Sequence, residues 1–204
     1  MSVDATAQMI DPDEQMRADF YAFLAGFLAR PPSAAQLISA AALKGDETPI
    51  GRGIDALAAI AAHTGEKSAV REFNALFVGL GRGELLPYAS VYLTGFLNEK
   101  PLAQLRRDMA HLGMSRADDV FEPEDNIASL FEMMAGLIGG RFGPPAALAP
   151  QRDFFARHIS PWAGHFFADL EAAKGSVLYA PIGQIGRLFV DIEKEAFRLS
   201  GSPK

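Results

Sequence analysis

The sequence predicts an all-α fold, a single globular multi-helix domain of eight or nine helices with a hinge near Gly139–Pro145. Three observations carry this. Apolar residues recur with the helical period along almost the whole chain. Helix-start and helix-stop residues punctuate each periodic stretch. The one strand-like run, Pro87-Tyr88-Ala89-Ser90-Val91-Tyr92-Leu93, stands without a pairing partner, so an irregular or short helical connection is expected there.

Each element follows from its own residues. Asp11-Pro12-Asp13-Glu14 reads as an N-cap, a proline at the first helical position and a carboxylate reaching back. The first helix then carries Met16, Phe20, Phe23, Leu24, Phe27 and Leu28 on one face until Arg30-Pro31-Pro32 stops it. Ser33 caps a short second helix from Ala34 to Leu43. The turn Gly45-Asp46-Glu47-Thr48-Pro49 leads into an alanine-rich third helix ending near Ala62. A fourth, about Glu66 to Val78, presents Val70, Phe73, Phe77 and Leu80, and Gly79, Gly81 and Gly83 form a flexible segment after it. The fifth, about Pro101 to Leu112, has the stripe Leu102, Leu105, Met109 and Leu112.

For the sixth helix, Pro123 suits the first helical position, which puts Glu124 and Asp125 in the first turn, and Ile127, Leu130, Phe131, Met134, Leu137 and Ile138 form the buried face. The seventh runs from about Ala149 to Ile159. Ser160 and Pro161 start the eighth, with Trp162, Phe166, Phe167 and Leu170 inward. The last runs from about Ala180 to Leu199 with Ile182, Ile185, Phe189 and Ile192 repeating. The expected organisation is a tail at 1–11, the helical domain at 12–200 and a tail at 201–204. The Gly139–Pro145 segment would permit exchange of the C-terminal helices, giving mostly monomer with a minor swapped dimer.

Composition excludes several classes. The 204 residues are 49% hydrophobic and 22% charged, as in a globular protein long enough to bury a core. A net charge of −6 argues against nucleic acid. With no cysteine, disulfides, thiolate metal sites and thiol catalysis are ruled out. The N-terminus lacks a signal-peptide pattern, and the most apolar early run, Phe20 to Ala29, is about half the ~20 residues that span a bilayer. A cytoplasmic protein without membrane insertion is expected.

Catalytic constellations are missing. Asp108-x-x-His111 is a single carboxylate–histidine pair where a di-metal bundle needs two. Ser90 lies in no nucleophile elbow, and the glycines around 79–83 do not form a phosphate loop. No enzyme activity, metal or cofactor is expected. What remains is a binding signature. Asp118, Asp119, Glu122, Glu124 and Asp125 crowd eight positions, and Phe73, Phe77, Tyr88, Tyr92 and Trp162 lie near helix ends or loops. Carboxylates with aromatics suit an apolar segment carrying arginines.

Glu122-Pro123-Glu124-Asp125-Asn126 resembles the Glu-Pro-x-Asp-His motif of the TorD/DmsD family of redox-enzyme maturation chaperones. Phe73-x-x-x-Phe77 followed by Pro87-Tyr88-Ala89-Ser90-Val91-Tyr92 resembles that family's aromatic helix and Pro-aromatic-x-Ser-Val-aromatic segment. Phe155-x-x-His158-x-x-Pro161-Trp162 resembles its His-Leu-x-Pro-Trp segment. The likeness runs from about Arg17 to Phe197. Asn126 stands where the family has histidine, keeping hydrogen-bonding capacity but not positive charge. The resemblance implies an all-helical cytoplasmic chaperone that binds the twin-arginine signal peptide of a molybdenum-cofactor oxidoreductase before export. By position it implies a peptide site of Phe73, Phe77, Tyr88, Ser90, Tyr92, Glu122, Pro123, Asp125, Asn126, His158 and Trp162. Some members are associated with guanine nucleotides or the molybdenum cofactor, which no motif here supports. Two other readings stay open: an assembly chaperone or structural subunit that binds a folded redox-enzyme subunit without an export signal, and a helical enzyme of unknown activity.

Overall fold

Local chemistry sets the helix ends. Asp11 accepts from the Asp13 amide (2.9 Å) ahead of Pro12, and Ser33 and Gln36 form a reciprocal capping box. Thr48 accepts from the Gly51 amide (3.1 Å) ahead of Pro49. The computed structural model describes residues 10–79, 83–116 and 122–200. Among these residues ten α-helices follow in order: α1 (Pro12–Leu28), α2 (Ala34–Ala41), α3 (Pro49–Ala61), α4 (Glu66–Phe73), α5 (Ala89–Thr94), α6 (Lys100–His111), α7 (Ile127–Gly139), α8 (Leu148–Phe154), α9 (Ala163–Ala172) and α10 (Tyr179–Ser200). α4 and α8 each continue into a π-helical turn, Asn74–Val78 and Phe155–Ile159. The helix beyond the eight or nine expected is α5, where an irregular or short helical connection was expected. Among the described residues the sole β pairing is an isolated antiparallel bridge between Tyr88 and Asn126. No helix among them is long and apolar enough to cross a membrane.

One apolar core joins the elements. α7 packs along α1, α9 along α10, and α10 against α3. Tyr21, Leu57, Phe131, Trp162, Phe166, Phe167 and Ile182 lie fully inside it. At about 1.5–3 kcal/mol for each large apolar side chain, this burial is the main term holding the helices together. α9 and α10 approach closely because α10 carries glycine where they cross. A Cβ at Gly183 would lie 2.4 Å from the Glu171 amide nitrogen, and one at Gly186 would lie 2.2 Å from the Phe167 ring.

Several sequence expectations are corrected by packing. Met16 is 62% exposed and Ile192 53% exposed. Their neighbours Arg17 and Glu193 turn inward and pair, through two nitrogen–oxygen contacts of 2.8 and 2.7 Å, with Tyr21 donating to the same carboxylate (2.9 Å). One residue along a helix is about 100° around it, so Met16 and Ile192 face solvent. Glu14 does not reach back to cap α1; it pairs with Arg17 (2.5 Å) and accepts from Gln151 (2.8 Å).

Pro123 is not the first residue of α7. It sits in the preceding turn, its carbonyl accepting from the Asn126 amide (3.1 Å), and Asn126 is the N-cap. Glu124 and Asp125 therefore precede the helix. Ser160 and Pro161 do not open α9 either, which starts after Trp162. Its place is decided by burial: Trp162 is 1% exposed and its indole N–H donates to the His158 carbonyl (2.8 Å). The Gly139–Pro145 segment is a closed reversal. Gly140 takes φ +75°, the Arg141 amide donates to Gly136 (2.8 Å), the Ala146 amide donates to Leu137 (2.9 Å), and Phe142 covers Gly136.

Candidate functional site

Two π-helical turns and one bridge assemble the motif residues. After α4 the turn Asn74–Val78 closes with the Gly79 amide donating to Asn74 (2.7 Å). Such turns often mark functional sites. The chain then returns against its own helix, Glu84 and Leu85 donating to the Ala75 and Leu76 carbonyls (3.2 and 2.8 Å). Gly83 permits that approach: a Cβ there would lie 2.5 Å from the Phe77 carbonyl carbon. It is thus a fixed contact point; Leu80 and Gly81 lie outside the described residues. The returning segment brings Pro87 and Tyr88 to the head of α7. Ile127 donates to the Pro87 carbonyl (2.9 Å) and Ala89 to the Asp125 carbonyl (3.0 Å).

This pairing gives each motif residue a place. Phe73, Phe77, Tyr88, Glu122 and Asn126 line one hollow of about 340 Å³, with Leu28, Val78, Pro87, Ser129 and Glu132 completing its walls. Phe73 and Phe77 meet edge to face (5.0 Å) and both rest on Tyr179. The Tyr88 hydroxyl donates to Glu122. Burial, and then the Glu122 carboxylate, push that phenol well above its usual range, so it stays protonated. Asn126 Oδ1 accepts from the Ala128 amide (2.9 Å), a strong N-cap that accounts structurally for asparagine at this position.

The other motif residues sit behind the hollow. Asp125 is 1% exposed, and its Oδ2 accepts from the Ser90 amide (2.8 Å) at the start of α5, while its Oδ1 has no protein partner. Tyr92 stacks near Trp162 (5.3 Å) and donates to Asp169 (2.9 Å). His158 is buried, its Nε2 2.9 Å from Asp108 Oδ2. Pro123 is half-buried in the turn before α7. Trp162 belongs to the core and reaches the site through Tyr92.

The acidic cluster is divided by the same geometry. Asp118 and Asp119 lie outside the described residues. Glu124 is engaged by Arg106 (2.8 Å) and approached by Arg116 (3.9 Å). Burial raises the Glu124 pKa, but the Arg106 hydrogen bonds, a backbone hydrogen bond and the charges of Arg106 and Arg116 together outweigh it and hold the carboxyl below its ordinary value. Glu122 is exposed and lines the aromatic hollow. Glu132 is a further acid there that belongs to no motif. Its signal was available: it is the one charged residue in the otherwise apolar α7. No group of ligating side chains able to hold a metal occurs among the described residues. The site therefore offers an apolar floor, aromatic faces and carboxylates at its edge, the means to hold a cationic, partly apolar chain.

Comparison with known proteins adds three findings. A family model described as the nitrate reductase delta subunit matches residues 43–168. The chaperone protein TorD of Vibrio cholerae is 30% identical over 130 residues, which is 60% of this chain and 59% of the relative. That of Photobacterium profundum is 35% identical over 69 residues, 33% of this chain and 32% of the relative. The chain thus spans less than two thirds of the length of the curated relatives it matches. Among solved structures, one described as a redox enzyme maturation protein from Archaeoglobus fulgidus superposes with a TM-score of 0.56 at 21% identity. It covers 86% of this chain and 94% of that one, which establishes the shared all-helical fold.

Proposed function

The chain belongs to the nitrate reductase delta subunit family, and we propose that it is a cytoplasmic maturation chaperone that binds the twin-arginine signal peptide of a molybdenum-cofactor oxidoreductase and holds the precursor until it is ready for export. The supporting observation is the hollow that gathers Phe73, Phe77, Tyr88, Glu122 and Asn126 from three separate stretches of sequence. Phe73, Phe77 and Tyr88 give an apolar and aromatic bed for the leader's hydrophobic part. Glu122 accepts its guanidinium groups. Ser90, Tyr92, Pro123, Asp125, His158 and Trp162 hold that wall in position. The protein acts by binding, without catalysis or cofactor of its own. Calorimetry tests this with a twin-arginine leader and its Arg-to-Gln version. Micromolar affinity for the first, about −8 kcal/mol, and a loss of roughly 2–5 kcal/mol for the second are expected. Equal affinity for both would overturn the electrostatic recognition.

A second reading has its own support. The family description names a subunit of a reductase, so the chain could serve a folded redox-enzyme subunit that has no export signal. A client body lacking its leader separates the two: binding as tight as the full precursor's favours the second reading.

A further inference from the structure

The aromatic hollow does not stand alone. A second hollow of about 380 Å³ lies beside it, lined by Met109, Met114, Met133 and Phe142 together with Arg116, Glu124 and Arg141. The two hollows share three residues, Glu122, Ser129 and Glu132. Ser129 and Glu132 are three apart on α7, so they lie on one face and form the ridge between the hollows. Glu132 is exposed and, among the described residues, makes no hydrogen bond or ion pair. A carboxylate that does nothing for the fold sits at the junction of two cavities, beside Glu122.

The charges are distributed unevenly. The aromatic hollow is lined by two carboxylates, Glu122 and Glu132, and by no cation. The thioether-lined hollow shares those two carboxylates and adds Glu124, but it also carries two guanidinium groups, Arg116, near Glu124 (3.9 Å), and Arg141. A basic pair is therefore held better on the aromatic side, where no cation competes for the shared carboxylates, while an apolar run finds adaptable methionine surface on the other.

We infer that Glu132 and Glu122 form a two-carboxylate clamp that selects a pair of adjacent arginines, and that the methionine-lined hollow takes the apolar run that follows them. This rests on the peptide-binding reading above and adds a residue, a subsite and a direction to it. The paired geometry matters because each carboxylate can serve one guanidinium.

The test is a cycle of variants against peptides. Wild type, Glu132→Gln and Glu122→Gln are titrated with the twin-arginine leader and with the peptide in which the second arginine is glutamine. Glu132→Gln is expected to weaken the twin-arginine peptide by about 5- to 10-fold, more than an exposed pair would give because the apolar run of the bound peptide excludes water from it. It should leave the single-arginine peptide within about twofold, as expected when the coupled partner is already gone. Equal losses against both peptides, or no loss against either, overturn the clamp. If wild type binds neither peptide, the peptide-binding reading fails and the clamp falls with it. A second measurement needs no variant. In wild type carrying ¹³C-methyl methionine, the twin-arginine peptide should shift the Met109, Met114 and Met133 methyl signals and leave that of Met16, on the exposed face of α1, in place. Binding without shifts at those three would overturn the apolar subsite.

Discussion

At the scale of single residues, Asp125 shows how a motif acid can work from behind a site. Its side chain receives the Ser90 amide at the head of α5, and its carbonyl receives Ala89. Both bonds tie the Pro87–Ser90 segment to the start of α7, which fixes Tyr88 opposite Asn126. Asp125→Ala should leave a buried amide without its acceptor and cost about 1–3 kcal/mol. Glu122→Gln, at an exposed position, should change stability by no more than about 0.5 kcal/mol while weakening peptide binding. Urea denaturation and peptide affinity measured on both variants check this. An Asp125→Ala protein as stable as wild type that fails to bind would show the free Oδ1 addressing the ligand instead. The sequence marked both acids alike. Nothing in their spacing says that one is 1% exposed and the other stands in solvent, because that depends on Pro87 arriving from thirty-odd residues away to pair with the turn.

At the scale of elements, the periodic stripes were legible and the junctions were not. Every residue of the α7 face named from sequence is buried, and the Ser33 cap stands where the sequence places it. The two π-helical turns were invisible, since a single widened turn leaves the apolar period almost unchanged. The same holds for the start of α9, where Ser160-Pro161 has the local form of a helix opening but the burial of Trp162 decides. The second π-turn also carries a cross-link. His158 lies against Asp108 of α6, with Gln104 and Arg157 bonded to the same carboxylate. Burial holds the imidazole below its ordinary 6.5, against the pull of Asp108. At Asp108 burial works upward, but its three hydrogen bonds prevail and keep it ionised. The folded state thus prefers neutral histidine while the unfolded chain takes up a proton near pH 6.5, so stability falls as pH drops through that value. The slope from this one group is at most about 1.4 kcal/mol per pH unit. Asp108 and Glu124, both depressed, add their loss only in more acidic solution. Thermal melts from pH 7.5 to 5 should therefore show a decline that is shallower in His158→Gln. Identical slopes would mean that the imidazole titrates alike in both states.

At the scale of the whole molecule, the reversal between α7 and α8 decides whether the chain closes on itself. The C-terminal helices return to the front of the molecule: α10 packs on α3, and Glu193 meets Arg17 and Tyr21 of α1. In a swapped dimer these same contacts form between two chains, so they cancel from the monomer–dimer balance. What does not cancel is the Gly140–Ala146 turn, whose left-handed Gly140, two backbone hydrogen bonds and Phe142 contact exist in the closed form. The expected state is monomer with a minor dimer, and the two terms can be separated. Glu193→Gln leaves the Arg17 guanidinium without its counter-charge, as breaking a buried pair does, and should lower stability by about 3–5 kcal/mol or less, given that Arg17 keeps Glu14. It should not alter the dimer fraction. Deleting Arg141 and Phe142 removes the closed turn and should raise the dimer fraction while the helix contacts persist. Size exclusion with light scattering on both variants, over a range of concentrations, reads the difference. A dimer fraction that responds to Glu193→Gln but not to the shortened turn would place any association on an ordinary surface contact and remove the exchange of helices as its cause.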